Sequence, residues 1–498
     1  MKANNFMTQN ARVQIELDRT HDIPDRLFGS FVEHLGRTVY TGIYEPTHTT
    51  ADISGFRADV ASMTKDLGVS TIRYPGGNFV SGYRWEDGVG PQDRRPSRLD
   101  LAWRRVEPNE VGTDEFLGWC ERYELEPMLA VNLGTRGIEA AADLVEYVNL
   151  EGGTQLSEWR KANGREEPWG VKIWCLGNEM DGTWQLGHKT AHEYGRLAAE
   201  AGRAMRRVDP SIELVACGSS AWTMPTFGDW ERTVLEETWD VIDYLSLHAY
   251  YEERNGDRKG FLASGELMHR FIGEVLDIAD DVATRKGSDK RIKLSFDEWN
   301  VWYLQRFDGE ESLPLDGIAP LFEDHHSSLD AVVVGDLLIS LLRNSDRVRA
   351  ASLAQLVNSL APMITAPGGG AWKQTTYFPF QAVAQASRGG HALATTVTSD
   401  PLDTDEHGQV PGVNAAAVRT ADGRNLLFAT NRSDSPVKLD IMVEGGLVEI
   451  TAQHTLEAGH DDIHSGPDDA THGIPRHLSD GLGTLPPESW SVIEWTSH

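Results

Sequence analysis

The sequence predicts an α/β protein, a (β/α)8 TIM barrel followed by a C-terminal antiparallel β-sandwich of jelly-roll type. Three observations carry that prediction. Eight near-continuously apolar segments recur between stretches of helical periodicity, at residues 28–34, 71–75, 127–133, 171–179, 213–218, 244–250, 293–299 and 350–358. Strands covered by helices on one side and packed on the other need apolar residues at every position, not at alternate ones. Beyond Gly389-Gly390 the pattern changes to short strand-like runs at 413–418, 425–430, 437–443, 447–455 and 490–495, punctuated by Gly, Asp, Asn and Pro, as in antiparallel sheets. Finally, residues 12–17 (Arg-Val-Gln-Ile-Glu-Leu) alternate polar with apolar before the first barrel segment. They can pair into the terminal sheet. The expected division is therefore a catalytic barrel over 22–388 and a β domain made of 1–21 plus 389–498.

The helices between the strands carry their own punctuation. Phe56, Val60, Met63 and Leu67 form an apolar stripe that Gly68 stops in the position favouring a left-handed cap. Thr190 with Glu193 makes a capping box, after which Tyr194, Leu197, Ala198, Ala201 and Met205 recur at helical spacing as far as Asp209-Pro210. Ser327 with Asp330 repeats the box before 333–342.

Composition narrows the partners. With 76 acidic against 46 basic residues the formal charge is −30, which repels nucleic acid and anionic membrane surfaces and suits a neutral substrate. Three widely spaced cysteines, Cys120, Cys175 and Cys217, exclude a disulfide framework and a cysteine zinc site. No apolar run approaches the ~20 residues of a membrane span, and residues 1–18 lack a basic-then-apolar leader, so the expected location is cytoplasmic.

Two carboxylates stand where a barrel does chemistry. Leu176-Gly177-Asn178-Glu179 closes the fourth apolar segment and Phe296-Asp297-Glu298-Trp299 the seventh. All strands of such a barrel open their C-terminal ends on one face, so Glu179 and Glu298 can oppose each other across a cleft. Glycosidic hydrolysis needs that pair: an acid to protonate the leaving oxygen, and a second carboxylate to trap the oxocarbenium-like centre. Asn178 can hydrogen-bond the hydroxyl beside the anomeric carbon.

The motifs Phe31-Val32-Glu33-His34, Arg73-Tyr74-Pro75-Gly76-Gly77-Asn78-Phe79, Glu107-Pro108-Asn109, Cys175-Leu176-Gly177-Asn178-Glu179, Ser246-Leu247-His248-Ala249-Tyr250 and Asp297-Glu298-Trp299-Asn300 occur in this order. Together they resemble the retaining α-L-arabinofuranosidases of glycoside hydrolase family 51. The resemblance implies Glu179 as general acid/base and Glu298 as nucleophile, with carboxyls about 5–5.5 Å apart. It implies sugar contacts from Glu33, Asn78, Asn178 and Gln355, and a hydroxyl from Tyr250 that orients the nucleophile. It also implies support from His248, and walls from Trp103 and Trp302. Read from the residues alone, Glu33 could instead pair with Arg37, and Tyr250 could be plain core. Of the fifteen tryptophans, Trp119 and Trp174 read as core. The long segment 307–325 is expected to shape the leaving-group subsites. The implied partners are arabinose-containing oligosaccharides, with no metal and no cofactor, and the implied assembly is a homo-oligomer, a hexamer.

Other patterns carry less. Residues 459–464 hold metal-ligand types among turn formers and read as a solvated loop. Gly368-Gly369-Gly370 has no following Lys-Ser/Thr and reads as a turn close to the pocket. Three rival readings share some of these features: a retaining β-xylosidase or glucanase, a metal-dependent sugar isomerase, and a sugar-binding protein without activity.

Overall fold

A computed structural model describes residues 9–309, 312, 313, 315, 318–459 and 474–497. The amino-terminal strand is β1 (Gln9–Asp22). Eight parallel strands then close a barrel in chain order: β2 (Gly29–Phe31), β3 (Thr71–Tyr74), β4 (Glu126–Ala130), β5 (Ile173–Leu176), β6 (Glu213–Ala216), β7 (Tyr244–Tyr251), β8 (Lys293–Val301) and β9 (Val348–Ala354). Each is followed by a covering helix: α1 (Ala58–Leu67), α2 (Thr113–Arg122), α3 (Ile138–Asn149), α4 (Ala191–Val208), α5 (Asp229–Thr238), α6 (Ser264–Lys286), α7 (Ser328–Arg343) and α8 (Tyr377–Ser387).

The two faces of the strands explain the unbroken apolar runs. Met128, Ile173, Cys175, Val215, Tyr244 and Ala350 fill the barrel interior, whereas Leu129, Trp174, Leu214, Leu245 and Leu294 turn outward into the helical layer. Trp119 and Trp174 are core as expected, at 1% and 0% exposure. Arg26 crosses the N-terminal mouth and donates to Glu126 (2.5 Å) and Glu213 (2.7 Å), closing the end opposite the site. The anticipated caps are present: Thr190 and Glu193 exchange side-chain to backbone bonds at the start of α4, Ser327 and Asp330 do so at α7, and Gly68 adopts φ 89° after α1.

After the barrel come β10 (His391–Thr398), β11 (Val413–Arg419), β12 (Asn425–Asn431), β13 (Val437–Val443), β14 (Glu449–Glu457) and β15 (Ser489–Thr496). The sheet runs β13-β1-β10-β11-β12-β15-β14, so β1 does join it, between two strands from the far end of the chain. The β1–β13 pair is parallel, which makes the sheet mostly and not wholly antiparallel; alternation specifies a face, not a strand direction. Strand β10 falls in a Thr-rich stretch, Ala394-Thr395-Thr396-Val397-Thr398, outside the five runs expected from apolar content.

One face of the sheet packs on itself through Val13, Ile15, Ala415, Leu427, Leu439, Ile441 and Ile493. The other face meets α7, whose residues Ser328–Leu342 are all buried. There Asp336 accepts bonds from Arg432 (2.8 and 3.1 Å) and Asn414 (3.0 Å), an ion pair with 0% exposure on both sides. Residues 460–473, which hold most of the His- and Asp-rich segment, lie outside the described residues, as does part of 307–325.

Two expected segments differ from the observed strands in a way that matters for the site. The fourth strand ends at Leu176, not Glu179, because Gly177 (φ 91°) and Glu179 (φ 44°) turn the chain out of extended geometry. The eighth ends at Ala354, leaving Gln355 just beyond it.

Candidate active site

Glu298 lies within β8, and its carboxylate is held on both oxygens. Arg73 on β3 donates from Nη1 to Oε1 at 2.7 Å, and the Tyr250 hydroxyl on β7 donates to Oε2 at 2.8 Å. Tyr250 is therefore a ligand of Glu298 and not simple core. The same guanidinium donates from Nη2 to Asn178 Oδ1 at 2.6 Å and lies 4.7 Å from the Phe31 ring centre. A cation this deep inside a barrel requires carboxylate partners. Burial alone would lower the Arg73 pKa, but the Asp297 and Glu298 charges override it and raise it well above its ordinary value.

Glu179 sits across from Glu298 on a backbone of positive φ, a conformation that non-glycine residues adopt at a cost and that recurs at functional sites. Its oxygens accept from Trp184 Nε1 (2.8 Å) and His248 Nδ1 (2.9 Å). His248 Nε2 bonds Asp297 Oδ1 at 3.0 Å, and Nδ1 is 3.6 Å from Glu298 Oε2. The ring thus lies behind both carboxylates with each nitrogen engaged by protein. It supports the acid pair from behind and is not among the residues that line the cavity. Burial by itself would depress the imidazole, but the Glu298 charge, the Asp297 and Glu179 hydrogen bonds and the Glu179 charge raise it to about 10, so it is a cation at neutral pH. Asp297 is likewise pushed up by burial, yet the Arg73 charge and the His248 bond bring it below the usual carboxylate range.

Oxygen atoms of Glu179 and Glu298 and a nitrogen of His248 all lie within 4.8 Å of one another. Three such groups could in principle ligate a cation. Here His248 already uses both nitrogens and the Arg73 guanidinium occupies Glu298, so a metal would have to displace one cation and bind beside another.

The floor is built around Glu33. Its Oε1 accepts from Phe79 N (2.9 Å) and Trp103 Nε1 (2.9 Å), and its Oε2 accepts from Gln355 Nε2 (3.2 Å), while Gln355 Oε1 accepts from Glu33 N (2.9 Å). Arg37, the alternative partner for Glu33, instead pairs with Glu323. Burial pushes Glu33 up to about 8, the Phe79 N–H opposes that rise and the nearby Glu298 charge adds to it. The chain at Gly77 runs so close that a Cβ there would stand 2.4 Å from Glu33 Oε2, so a larger residue would have to displace the Glu33 carboxylate from its hydrogen bonds. Trp103 is carried on a hairpin, Arg98–Asp100 with Arg105–Glu107, where Asp100 accepts from the Ala102 and Trp103 N–H groups. Glu107 anchors that hairpin to His34 (3.0 Å) and also accepts from Arg105 of the same strand (2.9 Å).

These groups surround a cavity of about 850 Å³ lined by Glu33, Asn78, Trp103, Glu179, Tyr250, Glu298, Trp302 and Gln355 among others. Asn178 lies beneath the wall, with its buried Nδ2 lacking a protein partner among the described residues, a donor free for a ligand hydroxyl. Trp302 packs edge-on against Tyr250 (4.9 Å) and Phe322 (4.9 Å), and Phe322 also meets Trp103 (5.8 Å). Sequence reasoning gave no role to Arg73, Trp184 or Phe322. Arg73 had a signal, a lone cation inside an apolar strand. The Gly368–Gly370 turn joins two short strands, Met363–Thr365 and Ala371–Lys373, and its Gly369 carbonyl accepts from Arg57 and His48; it is absent from the cavity wall.

Sequence models of the α-L-arabinofuranosidase 1 domain and of the α-L-arabinofuranosidase C-terminal domain match residues 63–264 and 297–480. An exo-α-(1→6)-L-arabinofuranosidase of Bifidobacterium longum is 51% identical over 95% of this chain and 94% of its own. The chain belongs to the α-L-arabinofuranosidase family, glycoside hydrolase family 51. An intracellular exo-α-(1→5)-L-arabinofuranosidase of Bacillus subtilis is 47% identical over 95% of this chain and 96% of its own. Among solved structures, a family 51 α-L-arabinofuranosidase from Bifidobacterium longum superposes with a TM-score of 0.91 at 44% identity, covering 98% of this chain and all of that one. The arabinose complex of the Thermotoga maritima α-L-arabinofuranosidase gives 0.83 at 32% identity, with 97% and 99% coverage. As a family 51 member the chain is a retaining α-L-arabinofuranosidase acting at non-reducing ends, which sets aside the xylosidase, isomerase and binding-protein readings.

Proposed function

We propose that Glu298 and Glu179 cleave terminal α-L-arabinofuranosyl units from arabinan- or arabinoxylan-derived oligosaccharides by double displacement. The observation that carries this is the carboxylate spacing. Oxygens within 4.8 Å suit direct attack, whereas an inverting pair stands roughly 6.5–9.5 Å apart to admit a water. In the first step a Glu298 oxygen bonds to the anomeric carbon, the glycosidic C–O bond breaks, and the Glu179 proton passes to the leaving oxygen. In the second, Glu179 takes a proton from water, the water oxygen bonds to the anomeric carbon, and Glu298 is released as carboxylate. Arg73 and Tyr250 hold the two Glu298 oxygens in place. Glu33, Asn78, Asn178 and Gln355 read the sugar hydroxyls, and Trp103 and Trp302 flank the ring.

In this reading residues 22–388 carry the chemistry, and 1–21 with 389–498 form the β domain, a division supported by the pairing of β1 with β10 and β13. The protein works in the cytoplasm on imported fragments, yielding free L-arabinose for metabolism, and assembles as a homo-oligomer, a hexamer by family resemblance. The relatives named intracellular support the location. Proton NMR of the first-formed arabinose is the test: the α anomer is expected, and initial release of the β anomer would overturn the mechanism. Faster release from high-molecular-weight arabinan than from its oligosaccharides would overturn the substrate assignment.

A further inference from the structure

The cavity is too large for one furanose. At about 850 Å³ it lies near the top of the range of ~300–1,000 Å³ that holds drug-sized ligands. Away from Glu33 it continues past Trp184 and Trp222 to Arg254, Glu406 and His407. The last two residues are not barrel residues. They form the tip of a hairpin, Pro401–Thr404 with Gly408–Pro411, inserted between β10 and β11.

The hairpin is fixed against the barrel at two points. Leu402 and Val410 pack on Ala263, at the start of α6, as a small separate core. At the tip, the buried Asp257 carboxylate accepts from Gly260 N on one oxygen (2.8 Å) and from both Asp405 N and Glu406 N on the other (3.1 Å each). A buried acidic group that takes three backbone N–H bonds is a strong tether, since charged acceptors roughly double the worth of a hydrogen bond. Arg270 adds bonds to the His407 and Gln409 carbonyls (3.4 and 3.3 Å). The backbone held this way places Glu406 and His407 at the cavity. Glu406, which accepts from Asn255 Nδ2 at 3.4 Å, has acceptor capacity left, and Arg254, paired with Glu252 at 3.4 Å, lines the same cavity as a donor. Burial lowers His407, leaving it a neutral ring that can both donate and accept.

Resting on the arabinofuranosidase reading of the barrel site, we propose that this hairpin tip is an outer leaving-group subsite. The second domain would thereby select leaving groups of two or more neutral sugar units, with Glu406 and His407 binding ring hydroxyls. Neither residue touches the reacting atoms, so their role is specificity and not catalysis.

The test compares E406A/H407A with wild type on 4-nitrophenyl α-L-arabinofuranoside, whose leaving group is one ring, and on arabinotriose and arabinotetraose. The expected result is a rise in KM for the oligosaccharides of about fivefold, the worth of one or two hydrogen bonds, with kcat and the aryl substrate changed less than twofold. D257A, which frees the tip but keeps both side chains, should reproduce the length-dependent loss. Equal losses on aryl and oligosaccharide substrates, or no loss on either, would overturn the subsite. Binding of arabinotetraose to E298Q, followed by tryptophan fluorescence with and without E406A/H407A, reads the same subsite without turnover: weaker binding in the triple variant is expected, and unchanged binding sinks it. If wild type fails to hydrolyse any of the three substrates, the arabinofuranosidase assignment fails, while the fluorescence titration still decides the subsite.

Discussion

The two carboxylates face each other but are built differently. Glu298 lies inside a strand, at a point where the pairing with both neighbouring strands shifts register, 5% exposed, with one oxygen on an arginine and the other on a tyrosine hydroxyl. Glu179 stands three residues past its strand on a left-handed turn, held by an indole that is itself 46% exposed and by a histidine shared with Asp297. A nucleophile must remain an anion in one place, whereas an acid/base must gain and lose a proton in every cycle. The rigid, cation-backed position suits the first task and the looped, cavity-facing one the second.

That contrast can be tested by removing its parts. Glu298→Ala should lose turnover on every substrate, by on the order of 10⁴-fold or more, and any azide product should have the inverted, β configuration. Glu179→Ala should lose ~10²–10⁴-fold on natural oligosaccharides but far less on activated aryl arabinofuranosides, and azide should restore it with an α-configured product. If the two variants exchange these behaviours, the roles are swapped. Tyr250→Phe removes one of the two bonds fixing Glu298 and should cost about 1.5–3 kcal/mol in kcat/KM. Trp184→Phe removes the corresponding bond to Glu179 at a half-exposed position and should cost only about 0.5–1.5 kcal/mol. A larger effect for Trp184 than for Tyr250 would break the proposed asymmetry.

His248 belongs to both halves, and its effect should appear in stability. Its value in the fold, about 10, lies above its ordinary 6.5. The stabilisation it supplies is therefore fully present below pH 6.5 and is lost as pH rises through 10. Melting temperature should fall between pH 8 and 10.5 more steeply in wild type than in His248→Gln; parallel curves would mean the ring is neutral. The smallest effect expected is that of EDTA, which should leave activity within about twofold, because Arg73 and His248 already neutralise the pair.

Much of this was legible in the sequence, and the remainder failed for identifiable reasons. The barrel strands were visible because both of their faces are buried, and Glu179 and Glu298 because each closes such a run. Strand ends were less visible: Glu179 reads as continuous with Ile173–Leu176, and only the glycine before it hints at the turn. Strand β10 escaped because its threonines are partly or fully exposed, and the direction of β1 because alternation is the same in parallel and antiparallel pairs. Arg73 could be suspected as a buried cation, but not assigned to Glu298, 225 positions away. The Asp257 tether was unreadable, since nothing local marks an aspartate that binds backbone N–H groups of a distant hairpin.

The position of β1 in the middle of the terminal sheet has a consequence for synthesis on the ribosome. Its neighbours, β10 and β13, are translated only after the entire barrel, on the order of twenty seconds or more later at ~5–20 residues per second. Throughout that interval the nascent chain carries a strand with both edges unpaired, open to mispairing with other chains. Its alternate positions Arg12, Gln14 and Glu16 point to solvent in the finished sheet, interleaved with the buried Val13 and Ile15. These polar side chains keep one face of the waiting strand hydrated, and a partner stacking on that face would have to strip their water, so the same alternation that fits β1 to its sheet also protects it until that sheet is made.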